Sequence, residues 1–164
     1  MSDYVVALEN LECLENTSGR NAKYDILQKS KSNFYLTSFL FLTYNNNIQF
    51  YIKKIPNLKR CAEASSISHF YEFLQLLISL NSRELTGNAA KDAVYETLEG
   101  CSKTEQKWFV RILKKDLKIG VALLGINKAM GNFIPEYTVQ LAHAIEDISL
   151  TDPKALAMLP EEFV

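Results

Sequence analysis

The sequence predicts an all-α protein, a single compact multi-helix domain followed by a C-terminal linker, and three observations support this fold class. Apolar residues recur three and four positions apart through most of the 164 residues, which is the spacing of one helix face. Glycine, asparagine and proline separate these periodic stretches, as helix-breaking residues do. Hydrophobic residues make up 48% of the chain, so one domain of this length can bury an ordinary core.

Three helices are predicted in the N-terminal part of the chain. Each carries apolar residues at helical spacing: Tyr4, Leu8 and Leu11 in the first, Tyr24, Ile26 and Leu27 in the second, and Leu36, Phe39, Leu40 and Thr43 in the third. The Thr-Ser-Gly sequence at 17–19 separates the first two helices, and Asn33 can cap the third. The asparagines at 45–47 are expected to end the third helix, because Asn tolerates left-handed turns. Residues 48–54 alternate apolar and polar side chains, which favours a short strand or an extended segment before Pro56.

Three longer helices are predicted after this segment. Their apolar positions are Phe70, Phe73, Leu74 and Leu77 in the first, Ala89, Ala90, Ala93, Val94, Thr97 and Leu98 in the second, and Phe109, Ile112, Leu113 and Leu117 in the third. Gly100 is expected to end the second of these helices at its C-cap, and Gly120 is expected to end the third. Ser102 and Glu105 have the spacing of a capping box, in which each side chain binds the other's backbone amide, so the third helix should begin there.

The C-terminal part has weaker signals. Residues 122–130 form a shorter predicted helix that ends at Gly131. A last, weak helical stretch follows Pro135, and beyond it the chain contains two prolines and little periodicity. We therefore expect a helical domain over residues 1–148 and a linker over residues 149–164.

The cysteines and the hydropathy pattern indicate a cellular compartment. The three cysteines, Cys13, Cys61 and Cys101, are far apart and odd in number, so they fit a reducing cytoplasm and form neither a disulfide framework nor a zinc pattern. No apolar run reaches the roughly eighteen residues of a membrane span, and the first ten residues carry no positive charge, unlike a signal peptide. We expect a cytoplasmic protein with no membrane partner.

Charge is arranged in blocks, although the net charge is only −1. Residues 17–60 hold eight basic and one acidic side chain, and residues 102–128 hold seven basic and two acidic ones, whereas the segments before, between and after them are acidic. Such blocks can fold into one positive face backed by a negative one, and the local field rather than the net charge attracts a phosphate backbone. The alternative, clustering of solvated charges by chance, is equally compatible with the composition.

Two segments could place backbone amides and cations where a phosphate would bind. In the first, Thr86, Gly87 and Asn88 stand at a helix start, where unpaired amides and the helix dipole favour an anion; ordinary N-capping is the simpler alternative. In the second, a basic helix with Arg111, Lys114, Lys115 and Lys118 ends at Gly120, and a new helix with Lys128 begins at once. Gly120 would let a phosphate approach the backbone closely, although a solvated helix face ending in a glycine cap explains the same pattern.

A third basic segment contains Lys53 and Lys54 beside Tyr51, and it could be a loop that contacts DNA or the polar edge of an irregular stretch.

No nucleotide-binding or metalloprotease motif occurs in the sequence. Lys23-Tyr24-Asp25 resembles a nucleotidyl-accepting K-x-D only superficially, because Ile26 follows in place of glycine and the pattern is helical. The sequence therefore predicts binding and no catalysis.

Four stretches, occurring in one order within residues 33–142, carry a resemblance to a known family. They are Leu42-Thr43-Tyr44 with Gln49 through Tyr51-Ile52-Lys53-Lys54; Leu85-Thr86-Gly87-Asn88-Ala89-Ala90; Asp116-Leu117 with Gly120 and Asn127-Lys128; and Ile134-Pro135-Glu136 with Leu141-Ala142. In this order and spacing they resemble the DNA-binding domain of ATP-dependent DNA ligases, most closely those of T-even-type phages.

The resemblance implies sequence-independent binding of nicked double-stranded DNA through phosphates on the minor-groove side, in DNA replication and repair. The residues that it and the charge pattern assign to DNA binding are Lys53, Lys54, Thr86, Gly87, Asn88, Arg111, Lys114, Lys115, Lys118, Gly120 and Lys128. We expect the lysines among them to share one face with the start of the Asn88 helix. The family's adenylation domain, with its K-x-D-G lysine, and its OB-fold domain would be partners outside this chain. ATP and Mg²⁺ would serve that parent ligase, in the host cytoplasm if a phage encodes it, and no cofactor is expected here.

Two other functions remain alternatives from the sequence. A helical protein–protein adaptor without a nucleic-acid role would scatter the basic residues in space and expose an apolar patch instead. A complete, independent ligase is disfavoured, because the nucleophilic lysine that takes up AMP needs the K-x-D-G motif that this sequence lacks. The positions of the lysines distinguish the first alternative from DNA binding.

Overall fold

The computed structural model describes residues 2–135 and contains seven helices in that range. Their bounds are α1 Asp3–Asn16, α2 Arg20–Lys29, α3 Phe34–Tyr44, α4 Ile67–Asn81, α5 Gly87–Glu99, α6 Lys103–Leu113 and α7 Leu123–Met130. The described residues form no strand, and their only β-type pairing is an isolated bridge between Ala62 and Ser102. The all-α prediction is therefore confirmed. The helical stretch expected after Pro135 and the linker at 149–164 lie outside the described residues.

Side chains begin several helices as the sequence predicts. The Asn33 carboxamide oxygen accepts from the Tyr35 and Leu36 amides at 3.0 and 3.1 Å, so it caps α3. At the start of α6 the capping box forms, because the Ser102 hydroxyl accepts from the Glu105 amide while the Glu105 carboxylate accepts from the Ser102 amide at 2.8 Å. Each cap satisfies amides that have no partner within their own helix.

Several predicted helix ends differ from the structure. The helix expected to run to Gly120 ends at Leu113, and Lys115 takes the left-handed conformation, with φ of 62°, that glycine was expected to supply. The Lys115 and Asp116 amides then donate to Ile112 and Arg111, which is the hydrogen-bond pattern of a Schellman motif. Gly100 does cap α5, but with a right-handed φ of −80°.

The segment between α3 and α4 is neither strand nor helix. Ile48 and Phe50 are buried and Gln49 and Tyr51 are exposed, which is the predicted alternation, yet Tyr51 has a left-handed φ of 59° that a strand cannot accommodate. Nor does a left-handed asparagine end α3. The Asn45 side chain instead accepts from the Asn47 amide at 3.0 Å and turns the chain.

One continuous core joins the helices, with aromatic rings at its centre. Phe73 and Phe109 stack in parallel with 4.1 Å between ring centroids, and Phe70 meets Phe39 edge-on at 5.3 Å. Glu105, fully buried at the N-terminus of α6, accepts hydrogen bonds from groups on or beside α1 and α4 as well as from its own helix start. A buried carboxylate is tolerated there because its oxygens have donors.

Candidate nucleic-acid interface

A groove beside the start of α5 collects basic residues from three parts of the chain. We call it the α5 groove, and it has a volume of about 420 Å³. Its charged lining residues, within the described part of the chain, are all cationic: Lys53, Lys54, Arg83 and Lys91. Thr86 and Gly87 also line it, and Ile52, Leu85 and Ala90 contribute apolar surface. The predicted Lys53–Lys54 and Thr86–Gly87 segments therefore meet at one site.

The N-terminus of α5 has no side-chain cap. Thr86 occupies the N-cap position, but its hydroxyl accepts no hydrogen bond from the helix. Gly87 has a φ of 59°, and an added Cβ would meet no atom within 4 Å, so the surface above it is open. Asn88, the next residue, is exposed. Ordinary N-capping by Thr86, the simpler alternative from the sequence, is therefore absent, and this helix start borders an open surface rich in cations.

Tyr51 and Arg83 form a stacked pair on the wall of the α5 groove. The Arg83 guanidinium lies 4.2 Å from the centroid of the Tyr51 ring, a cation–π distance. Both residues have left-handed backbones, with φ of 59° and 67°. Arg83 follows the C-cap of α4, and Tyr51 remains 58% exposed despite the stacking. Sequence analysis did not assign Arg83 or Lys91, although each lies within a few residues of Thr86 and Gly87.

The second predicted segment separates into residues with different surroundings. Lys114 and Lys118 are exposed and line a broad basic surface with Lys103, which we call the α6 face. The Lys118 amide donates to the Asp116 carboxylate at 2.9 Å, and Lys118 has a left-handed φ of 56°. Lys118 is therefore presented by an irregular loop after α6 and not by a continued helix.

Lys115 points into the protein. Its ammonium donates to the carbonyl oxygens of Leu42 and Asn45 at 2.7 and 2.9 Å and lies 5.2 Å from the centroid of the Phe50 ring. Burial lowers the pKa of Lys115 to about 7. The expectation that Lys115 flanks a helix start at the surface is wrong. Its ammonium instead joins the loop after α6 to the end of α3 and to the segment that leads into the α5 groove.

Arg111 is also engaged within the protein. Its guanidinium donates to Glu15 at 3.0 Å and to the Leu117 carbonyl at 3.2 Å, and it lies 4.8 Å from the centroid of the Trp108 ring. Lys107 binds Glu15 as well, and hydrogen bonds from Lys107 and Arg111 lower the pKa of Glu15. The acidic first helix thus neutralises part of the second basic block, so the charge blocks do not separate completely onto opposite faces.

A third basic surface is a groove between α2 and α7, and sequence analysis did not anticipate it. Arg20, Lys23 and Gly120 line it together with the start of α7. The Lys23 ammonium donates to the Ile119 carbonyl at 2.7 Å, and a Cβ added at Gly120 would lie 2.3 Å from that nitrogen. Gly120, with φ of 73°, therefore makes room for Lys23. Gly120 is exposed on this groove, and close approach of a phosphate to its backbone stays a prediction.

The candidate residues do not share one groove. Lys53 and Lys54 lie at the α5 groove, Lys114 and Lys118 on the α6 face, and Lys128 is exposed on the last turn of α7 outside all three surfaces. Asn127, its neighbour, is buried and exchanges two hydrogen bonds with Ile134.

Residues 2–135 contain no group of three or more His, Cys, Asp or Glu side chains that could hold a metal ion. No helix among them has the length and apolar character to cross a membrane.

Comparison with known proteins identifies a family. The family model described as DNA ligase N terminus matches residues 45–130, slightly more than half of the chain, and this range includes the α5 groove and the loop after α6. The DNA ligases of Enterobacteria phage T4 and Enterobacteria phage T6 are each 28% identical to the chain over 141 residues. That alignment covers 85% of this chain but 29% of each phage protein.

Solved structures give the same relationship. Two structures titled Pmar-Lig_PreS3 and Pmar-Lig_Pre. superpose on this chain with a TM-score of 0.69 and 25% sequence identity. The match covers 87% of this chain and 35% of each of those chains, so the likeness concerns most of this chain and about a third of the larger proteins. The matched family model, the phage relatives and the shared fold together show that this chain belongs to the DNA ligase N-terminal domain family.

Proposed function

We propose that this chain is the DNA-binding domain of an ATP-dependent DNA ligase and holds nicked double-stranded DNA by its phosphates, without reading the base sequence. The α5 groove is the observation that carries the proposal, because an uncapped helix start there lies among four cations, Lys53, Lys54, Arg83 and Lys91. Helix amides and cations bind phosphate oxygens, and such contacts position a duplex without specifying its sequence.

The residues of this chain suit DNA binding and not the chemistry of ligation. Holding a duplex needs a basic surface of suitable shape, whereas sealing a nick needs a lysine nucleophile for AMP and a metal to neutralise phosphates. The chain spans 29% of the phage ligases that it matches, and we propose that adenylation and OB-fold domains of the parent protein supply the chemistry with ATP and Mg²⁺. In this proposal residues 1–148 form the DNA-binding domain and residues 149–164 the linker toward the adenylation domain. The parent ligase would act in the cytoplasm, that of the host if a phage encodes it.

The adaptor alternative has less support. Of its two expected signs, the first is present, because the basic candidates Lys53 and Lys54, Lys114 and Lys118, and Lys128 lie on separate surfaces. The second, an exposed apolar patch, is missing, because the large apolar side chains that are exposed among residues 2–135 belong to three different elements: Tyr51, Ile67 and Leu124. Minor-groove placement rests on the resemblance to the ligase family. The basic residues at the grooves support phosphate contacts from either groove of the duplex.

Binding measured at several salt concentrations tests the proposal. The 164-residue chain is titrated by fluorescence anisotropy into nicked and intact duplexes of unrelated sequence, and we expect affinities within about tenfold of one another and a steep loss of affinity with salt. Lys54→Ala should weaken every duplex alike and reduce the slope of log K against log salt by about one, because one fewer counterion is released. Lys118→Ala should act in the same way if the α6 face also meets the duplex.

Lys29→Ala is the matched control. Lys29 is an exposed lysine on α2 whose ammonium pairs with Asp25 at 3.0 Å, and it lines none of the three basic surfaces, so its removal should leave the salt slope unchanged. A preference of more than about a hundredfold for one sequence would indicate base recognition and contradict the proposal. Equal slopes for the wild type, Lys54→Ala and Lys118→Ala would remove both surfaces from the interface and favour the adaptor.

A further inference from the structure

The Tyr51–Arg83 pair presents an aromatic ring at the wall of the α5 groove. Arg83 takes its left-handed backbone at the end of α4, where its amide donates to the Leu80 carbonyl at 3.2 Å. Tyr51 also has a left-handed backbone, but it follows no helix, and a side chain bearing a Cβ adopts this conformation at a cost of about tenfold in population. Tyr51 is nevertheless 58% exposed, so the ring gains little from burial. Costly conformations that persist without a packing benefit are characteristic of binding sites. The stack holds an aromatic ring, with one face covered by a guanidinium, at the wall of the α5 groove.

The groove has two kinds of surface, and this combination favours one kind of occupant. Its cations, the uncapped start of α5 and the absence of acidic residues in its described lining suit a phosphate. Ile52, Leu85 and Ala90 give the same groove a hydrocarbon wall, which a phosphate alone would not need. A sugar–phosphate unit matches both, because its phosphate is anionic and much of its sugar ring is apolar.

We propose that the Tyr51–Arg83 pair and this hydrocarbon wall contact the sugar of one strand and make the α5 groove selective for a deoxyribose over a ribose backbone. The inference rests on the proposed function, duplex binding. With the amides at the start of α5 bound to the phosphate, a 2′-hydroxyl placed against the side-chain carbons of Ile52 and Leu85 and the face of the Tyr51 ring loses its water to a hydrocarbon surface. An unpaired hydroxyl is costly to bury, whereas the hydrogen of a deoxyribose is not.

The test compares two duplexes of the same sequence, one all-DNA and one with isolated ribonucleotides in one strand, which keeps the two shapes close. Anisotropy titrations with the full 164-residue chain should show about tenfold tighter binding of the all-DNA duplex, the size expected from one unpaired buried hydroxyl. Tyr51→Gly should bring the ratio of the two affinities close to one. It removes no charge, so the salt slope should stay at the wild-type value.

Three further variants separate recognition from charge and from folding. Lys54→Ala should lower the salt slope and keep the affinity ratio. Arg83→Lys should keep the slope and lower the ratio, because it retains the charge but loses the planar group that holds the ring. Arg83→Gly should lower both. Since glycine adopts positive φ readily, Tyr51→Gly and Arg83→Gly should melt no lower than the wild type in circular dichroism, so any loss of discrimination is not a loss of fold.

The binding results distinguish failure of the sugar-contact inference from failure of the proposed function. If the wild type shows no preference between the two duplexes, or if Tyr51→Gly keeps the preference, the sugar-contact inference is overturned while duplex binding stands. If the wild type binds neither duplex, the proposed function and this inference fail together. If the salt slope falls in Tyr51→Gly, the Tyr51 ring acts by holding cations in position at the phosphate and not by contacting the sugar. This outcome would also overturn the inference.

Discussion

Glu105 offers the strongest single test of how this fold is held together. Its buried carboxylate accepts from the Tyr4 hydroxyl on α1, from the Ser102 amide at 2.8 Å and from the Ser66 amide at 3.2 Å, and it binds the His69 imidazole at 2.7 Å. The perturbation is Glu105→Ala. It leaves these buried or half-buried donors without an acceptor and disconnects the starts of α4 and α6 from α1.

Removing one member of a buried charged network costs about 3–5 kcal/mol, and four donors lose their acceptor here. We therefore expect Glu105→Ala to lower the free energy of unfolding by about 4 kcal/mol, a large part of the roughly 5–15 kcal/mol that stabilises a domain. Glu105→Gln should lose about 2 kcal/mol, because the amide keeps one acceptor but turns an NH₂ group toward donors. Trp108, the chain's single tryptophan and fully buried, reports unfolding by its fluorescence in urea.

Glu96→Ala is the control, since Glu96 is an exposed glutamate on α5. It should change the free energy of unfolding by no more than about 0.5 kcal/mol. The dependence on urea concentration should stay equal in all variants, so that a shift in midpoint measures stability. A loss below about 1 kcal/mol in Glu105→Ala would refute the reasoning, because the network would then be replaceable by water.

Three further predictions concern other positions. Gly120→Ala should lower stability by more than the roughly 1 kcal/mol that its positive φ costs, because the added Cβ also clashes with the Lys23 ammonium. Thermal melts should show the clash part of the loss restored by Lys23→Ala, and no restoration would contradict the clash. Because burial lowers the folded-state pKa of Lys115 to about 7, the unfolded chain binds a proton between pH 7 and 10 that the folded chain lacks. The free energy of unfolding should therefore rise with pH there, by at most about 1.4 kcal/mol per unit, and Lys115→Met should flatten that rise in urea titrations; an equal rise in the variant would count against it. Cys101 is buried with its pKa raised to about 12, so mass spectrometry after iodoacetamide should find the other two cysteines modified and Cys101 protected until urea is added.

The helices and their caps could be predicted because they depend on neighbours in the sequence. Apolar spacing located α4 and α5, and the Asn33 cap and the Ser102–Glu105 box formed as local chemistry dictates. The start of α5 was also located from the sequence, because Thr86 and Gly87 signal a helix start directly.

The errors arose where tertiary contacts override local preference. Sequence rules reserve left-handed helix ends for glycine, so nothing indicated that Lys115 would end α6 and turn its ammonium toward Leu42 and Asn45. Likewise, the pairing of Arg111 with Glu15 joins residues 96 positions apart in the chain. Charge counted along the sequence cannot show which cations are already neutralised, and only the fold identifies those that remain available.

The four residues other than glycine that have positive φ in the described chain are Tyr51, Arg83, Lys115 and Lys118. Glycine at any of them would relieve about 1 kcal/mol of backbone strain. At Lys115 that gain is offset by the loss of two hydrogen bonds from its ammonium. A directed-evolution experiment that selects this domain for heat resistance alone should therefore accumulate glycines at Tyr51, Arg83 and Lys118. The proposals above place these three residues at DNA, so the heat-resistant variants should bind the duplex more weakly as they gain stability.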